Sequence, residues 1–399
     1  MALSGTSSRS KTELAEEIEN IGATYSAKSE REFTSYGLKC FKGDAAKAVQ
    51  LLGDMICNNT LNSAELELIK QEVSMDHESN HTRYEETLLE NVHFNSFREH
   101  MLGQPIKGDR DMTTTLRVDH LRDYHSANYI GDNIVVVATG DVSHDQIVDH
   151  VEQNFSSLPK STKIPAKNTE KPIYIPALLM LRDDEMINSN VGVFYDAPSI
   201  KHEDYYAFLL LKHIQGSYRI DMNNDHLNDV NKQYNSMHAL IGDLPDVTRQ
   251  DAHYFAYSDA GLYGNYFFGN EVFTRQMNHA GSCMLTIFGH YMADVEVVRG
   301  RNHLYNTLLN TETPEVINEE IGKNILMLNR RLPRSEIAKR VSVMDNYHIK
   351  MLANQWFYDA EPCWTNWGPI ETVSMVGSYK YFKINTMSTV TNAHHSLYT

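Results

Sequence analysis

Residues 190–214 read NVGVFYDAPSIKHEDYYAFLLLKHI, and the pattern changes midway. Asn190 to Tyr195 is a short apolar, partly β-branched run that predicts a strand. Glu203 to Ile214 carries apolar residues at helical spacing and stops near Gly216, which predicts a helix. A strand leading into a helix is one α/β step. The first half holds similar steps. Thr34 to Phe41 reads as a strand before a helix over Ala45 to Ile56 (AAKAVQLLGDMI), and Asn133 to Val142 (NIVVVATGDV) as a buried strand before a helix from His144 to Phe155.

Lys11 to Ile21 (KTELAEEIENI) is a helix of good formers stopped by Gly22. Ser63 to Phe94 reads as one long helix or two joined ones, with Ser63 as N-cap. Later come a strand over Gly261 to Phe268 and two helices, Pro314 to Arg330 and Ser335 to Asn354, with Pro333 between them. Residues 156–177 hold four prolines and four lysines and read as an extended linker, while Asn223 to Asn235 is a polar loop. Strands alternating with helices in both halves predict two α/β or α+β units, an N-terminal one over 1–155 and a C-terminal one over 178–399, joined by the linker 156–177.

The chain is 399 residues long with 41% hydrophobic and 22% charged residues, enough to bury two ordinary cores. No apolar run approaches the ~18 residues of a membrane-spanning helix, so any membrane association is expected to be peripheral and to run through partners. A formal charge of −16 argues against a nucleic-acid surface and permits basic partners. The cysteines, Cys40, Cys57, Cys283 and Cys363, lie far apart without a C-x-x-C pair, which suggests a reduced compartment and buried thiols rather than a disulfide frame or a zinc knuckle. The stretch MALSGTSSRSKT is serine-rich, carries Arg9 and Lys11, and has no acid, a composition that mimics an organelle transit peptide but is short and lacks an apolar face.

One candidate metal motif stands out. Residues 77–81, HESNH, match H-E-x-x-H, in which His77 and His81 would share a metal and Glu78 would activate water. On a helical projection the apolar stripe runs through Leu66, Ile69, Val73, Tyr84 and Leu88, with His77 and Asn80 near its middle, Asp76 and His81 on its margins and Glu78 pointing away. A third ligand is required, and Glu99 and His100 downstream carry no mark of one. Three fixed letters match often by chance in a chain with 19 histidines, so a structural polar patch is the stronger reading. SFREH, residues 96–100, has Ser where an inverted H-x-x-E-H needs its first ligand. No nucleophile elbow, P-loop or dinucleotide fingerprint occurs.

Several blocks together carry a resemblance: TELAEEIENIGA (12–23), EREF (30–33), KAVQLLGDMI (47–56), GQPIKG (103–108), DHLRDYHSANY (119–129), DAGLYGNYFF (259–268), EEIGKNILMLNRRLP (319–333) and GPIE (368–371). In order and spacing they resemble the pitrilysin-like inverted zinc peptidases, in the branch of the mitochondrial processing peptidase beta subunit and core protein 1 of the cytochrome bc1 complex. The likeness runs to about residue 371, and residues 372–399 diverge. It implies an α+β fold of two duplicated pitrilysin-type α/β units joined by a linker. It also implies that the H-x-x-E-H segment lies before Met1, so that the first unit is truncated at its N-terminus and lacks two histidine ligands, the base and its first strands.

On this resemblance Asp76 falls at the third-ligand position, a carboxylate one methylene shorter than the family's Glu. Ile69 replaces a supporting Glu, and Ser26 replaces an Asn near the edge strand. The resemblance thus implies a vestigial site with no catalytic residue, no metal and no cofactor, zinc entering only if the HESNH or peptidase readings hold. The implied role is a non-catalytic core subunit of respiratory complex III on the matrix side of the mitochondrial inner membrane. Its implied partners are core protein 2 (or a processing peptidase alpha-like subunit), cytochrome b, cytochrome c1 and the iron–sulfur subunit. The alternative is the beta subunit of an active presequence-cleaving peptidase.

Overall fold

The computed structural model describes residues 1–78, 82–160, 170–219, 247–310 and 313–369. Two compact units interleave along the chain. One holds Met1–His81, Pro105–Glu170 and Asn310–Leu332, the other Thr82–Gln104, Lys171–Leu309 and Pro333–Thr399. This division by contact differs in kind from the sequential one at 155 and 178, which rests on the proline- and lysine-rich stretch 156–177. The 223–235 loop and the divergent tail lie outside the described residues, as do residues 161–169 of the linker.

In the first unit α1 (Lys11–Asn20) begins at a capping box, with Ser10 and Glu13 each bonding the other's backbone N–H. Its Leu14 and Ile18 pack on Leu51 and Met55 of α2 (Ala45–Cys57) to form a small core. Between these helices β1 (Thr24–Ser29) and β2 (Thr34–Lys39) pair as an antiparallel hairpin.

Asp54, nearly buried on α2, accepts hydrogen bonds from Thr6 (2.6 Å), Ser8 (2.8 Å), Asn58 (2.8 Å) and the Arg9 guanidinium (2.6 Å). Burial pushes its pKa up, but these donors outweigh it and hold the carboxyl below its ordinary 3.8. A depressed carboxylate contributes stability above its unfolded pKa and loses it as pH falls through the folded value. Acid titration followed by far-UV circular dichroism is therefore expected to show a transition below about pH 4 that Asp54→Asn removes. An unchanged acid profile in that variant contradicts the assignment.

The predicted helix over Ser63 to Phe94 is two helices in different units, α3 (Ser63–Glu78) and α4 (Tyr84–Phe97). The cap of α3 is Asn62 rather than Ser63: its side chain accepts the Ala64 N–H at 2.9 Å and its carbonyl accepts that of Leu66. The apolar stripe drawn through Leu66 and Leu88 therefore belongs to two separate surfaces. The first unit continues with α5 (Arg110–Thr115), α6 (Val118–Asn128) and α7 (His144–Asn154).

Asn133 to Val142 is not a strand. It is assigned to no β-ladder, and Val136 is 41% exposed. Val and Ile favour extended backbone, but a strand requires a neighbour's N–H and C=O groups, and the described residues place none beside it.

Among its described residues the second unit holds six strands: β3 (Leu178–Arg182), β4 (Asn188–Ala197), β5 (Ser217–Arg219), β6 (Val247–Ala256), β7 (Gly261–Asn270) and β8 (Cys363–Gly368), in spatial order β3-β8-β4-β7-β6-β5. Among these described strands only the β3–β8 pair is parallel. The opening strand–helix step is β4 followed by α8 (Tyr205–Gln215), which ends at Gly216 with φ +67. β4 is buried on both faces, which is why its sequence reads as a continuous run. On one face α4 presses Val92 and Leu88 over Gly192, where a Cβ would lie 2.9 Å from Val92 Cγ2. Beside this contact Phe194, Val92, Phe97, Leu102 and Leu262 form a core. The other face packs α9 (Thr274–Tyr291), followed by α10 (Asp294–Leu309) against α8.

Residues 310–332 belong to the first unit, where α11 (Pro314–Leu328) pairs Glu319 with Lys28 (2.7 Å) and Glu315 with Lys39 (2.9 Å). Its C-cap, Asn329 of the NRRLP block, takes the left-handed φ of +55 that asparagine tolerates. The predicted helix over Ser335 to Asn354 divides into α12 (Arg334–Ser342) and α13 (Asn346–Phe357), because Asp345 caps the second through the His348 N–H. Where the linker joins this unit, Tyr174 OH donates to the Phe194 and Glu361 carbonyls, each at 3.0 Å.

Candidate functional site

The candidate residues lie at the C-terminal end of α3. Ile69 and Asp76 are two turns apart and share one side of the helix. Against this end runs the segment entering α5. Gly108 turns it with φ +78, and Asp109 caps α5 by accepting the Asp111 and Met112 N–H groups. That turn brings Lys107 Nζ to 2.7 Å from an Asp76 carboxylate oxygen, each side chain about one-third exposed. One step on, Arg110 meets Glu78 at 3.1 Å, and Lys70 Nζ donates to the Thr114 carbonyl at 3.3 Å.

This geometry limits what the helix end can do. A carboxylate at a metal site must offer its lone pairs to the ion, whereas that of Asp76 meets an ammonium, which also repels a second cation. Ile69 is apolar and offers no hydrogen bond to orient a ligand. Glu78, placed as the base in the HESNH reading, points to Arg110 with more than half its side chain exposed. His77 Nε2 is shielded from solvent and has no hydrogen-bond partner among the described residues. Ser79, Asn80 and His81 lie outside the described residues. Ser26 is exposed on β1 opposite Gly37.

Among the described residues no group of three or more His, Cys, Asp and Glu side chains is arranged to hold a metal ion. The SFREH near-match serves local structure: Ser96 is fully buried, and His100 Nδ1 accepts the Leu102 N–H at 3.2 Å. A cavity of about 440 Å³ opens beside α3, lined in part by Leu3, Lys11, Glu65, Ile69, Glu72 and Met75. Its lining includes Ile69 but not Asp76.

Sequence reading missed Lys107 and Arg110. The one available signal for Lys107 was its place inside GQPIKG, and nothing in that block tells which acid it meets. The four cysteines are all free thiols, as their spacing suggested, but only Cys363 is buried, while Cys40, Cys57 and Cys283 are partly exposed. Among the described residues no helix is long and apolar enough to cross a membrane.

The model of insulinase (peptidase family M16) matches residues 1–110, and that of the peptidase M16 inactive domain matches residues 115–243. The mitochondrial-processing peptidase subunit beta of Bos taurus is 28% identical over 381 residues, covering 93% of this chain and 75% of the relative. Subunit 1 of the mitochondrial cytochrome b-c1 complex of Bos taurus is 27% identical over 382 residues, covering 93% and 77%. Among solved structures, a chain of complex III2 from Candida albicans, with Inz-5 bound, superimposes with a TM-score of 0.80. That match has 15% identity and covers 93% of this chain and 89% of the other. The fold is thus the two-unit α+β arrangement expected from the resemblance.

Proposed function

The chain belongs to the M16 peptidase family, and from that premise we propose that it is a non-catalytic core subunit of mitochondrial respiratory complex III, peripheral to the inner membrane on its matrix side. The observation that carries this reading is the Asp76–Lys107 pair: the carboxylate at the family's third-ligand position is engaged by a cation of the protein itself. Ile69 at the supporting position agrees with it. Packing of the two cores does not use these residues, so the fold persists without a working metal centre. In this role the chain pairs with a core protein 2-type subunit and docks on cytochrome b, cytochrome c1 and the iron–sulfur subunit, and its contribution is assembly and stability. A net charge of −16 suits basic partner surfaces.

A second reading has one observation in its favour. Relatives at the same level of identity are processing peptidase beta subunits, at 28% against 27% for the cytochrome b-c1 subunit. The discriminating experiment offers the purified chain, alone and with an alpha-type partner, an arginine-rich presequence peptide and zinc. No cleavage and no zinc bound through Asp76 are expected, so Asp76→Ala changes neither quantity, and the chain copurifies with cytochrome b from mitochondrial membranes. Cleavage abolished by Asp76→Ala, together with loss of bound zinc, overturns the scaffold reading in favour of the peptidase.

A further inference from the structure

Away from α3, two histidines on neighbouring helices of the second unit face each other. His213 on α8 and His303 on α10 place their Nδ1 atoms 3.1 Å apart, with ring centroids 5.0 Å apart and planes inclined at 68°. The approach is built into the helix packing. Gly300, one turn before His303, has no Cβ, and one added there would fall 2.8 Å from Ile214 Cα. The bare glycine lets the two backbones close together, and that closeness brings the imidazoles next door into contact.

We propose that His213 and His303 form a two-histidine site for a borderline divalent cation of the Zn²⁺ class, bridging α8 and α10. Zn²⁺ bound to two imidazoles at about 2.0–2.1 Å in tetrahedral geometry separates their nitrogens by about 3.3 Å, close to the spacing already present. Without metal, one Nδ1–H donates to the other ring's Nδ1 lone pair. Metal binding needs both lone pairs, so the donating ring moves its proton to Nε2. Both rings stay neutral, and no proton is released. His303 is exposed, which leaves the remaining coordination positions to water.

The site is independent of Asp76 and of the functional reading above. It is tested on the full chain, stripped with chelator and titrated with Zn²⁺ alone by calorimetry, with Co²⁺ substitution read by its visible spectrum. One equivalent of metal is expected, and His303→Ala is expected to weaken binding about tenfold or more, since even losing a ligand's outer-shell partner costs about that. His77→Ala is expected to leave that equivalent untouched. Gly300→Ala is expected to weaken it without altering either imidazole. Because His303 is exposed, its variant keeps the native tryptophan fluorescence, which separates metal loss from unfolding. Wild-type protein that binds no Zn²⁺, or a His303→Ala variant that binds as wild type does, overturns the proposal.

Discussion

Phe208→Ala is expected to destabilise the second unit by about 3–5 kcal/mol, the range for deleting a fully buried aromatic. Phe208 on α8 has no exposed surface. Its ring meets Tyr263 edge-on at 5.4 Å, Trp356 edge-on at 5.5 Å, and Tyr254 and Phe357 at 5.5 and 5.6 Å. Four rings held by β6, β7 and α13 cannot all collapse into the void, so most of the cavity term remains. The measurement is clean because all three tryptophans, Trp356, Trp364 and Trp367, lie in this unit. Tryptophan fluorescence during urea unfolding therefore reports the second unit alone, in a chain of two units where one global free energy is poorly defined. A loss below about 1 kcal/mol, the size typical of an ordinary point mutation, would contradict this packing.

The second large effect is expected from a polar centre in the same sheet. Asn265 Oδ1 accepts the side-chain amides of Gln215 (2.5 Å) and Gln250 (2.9 Å), and Tyr263 OH donates to Gln215 Oε1 at 2.5 Å. Asn265, Gln215, Gln250 and Tyr263 have no exposed surface. Asn265→Leu leaves two buried amide donors without their acceptor, each costing about 1–3 kcal/mol. Adding Gln250→Leu to Asn265→Leu is expected to recover part of the loss, since removing both partners of a buried hydrogen bond is far milder than removing one. The double-mutant cycle is read by the same fluorescence. Strict additivity would show that these amides do not interact.

How much of this was legible beforehand depends on which interactions each element needs. α1, α2, β7 and the β4–α8 step were readable because caps, glycine stops and periodicity are local in sequence. β8, with the sequence CWTNWG, was missed because its Asn366 and Thr365 are buried polar residues whose side-chain oxygens accept from distant partners, Asn278 and Asn95. Residues 133–142 failed in the opposite sense, because propensity was present and a ladder partner was not. The break between α12 and α13 had a signal in Asp345, overlooked beside the apolar spacing around it. At the candidate site Asp76 and Ile69 were legible only through the resemblance, and Lys107 was not legible, because its meeting with Asp76 depends on how residues 105–115 turn back along α3.

The return of residues 310–332 to the first unit has a consequence for how the protein is made. When the ribosome has released residue 170, that unit still lacks α11, and with it the glutamates that meet Lys28 and Lys39. At about 5–20 residues per second, the next 162 residues (332 − 170) take roughly 8–32 s to appear. During that wait the nascent β-hairpin faces solvent or a chaperone rather than the helix its lysines meet. A gene fragment ending at residue 155 never escapes that interval.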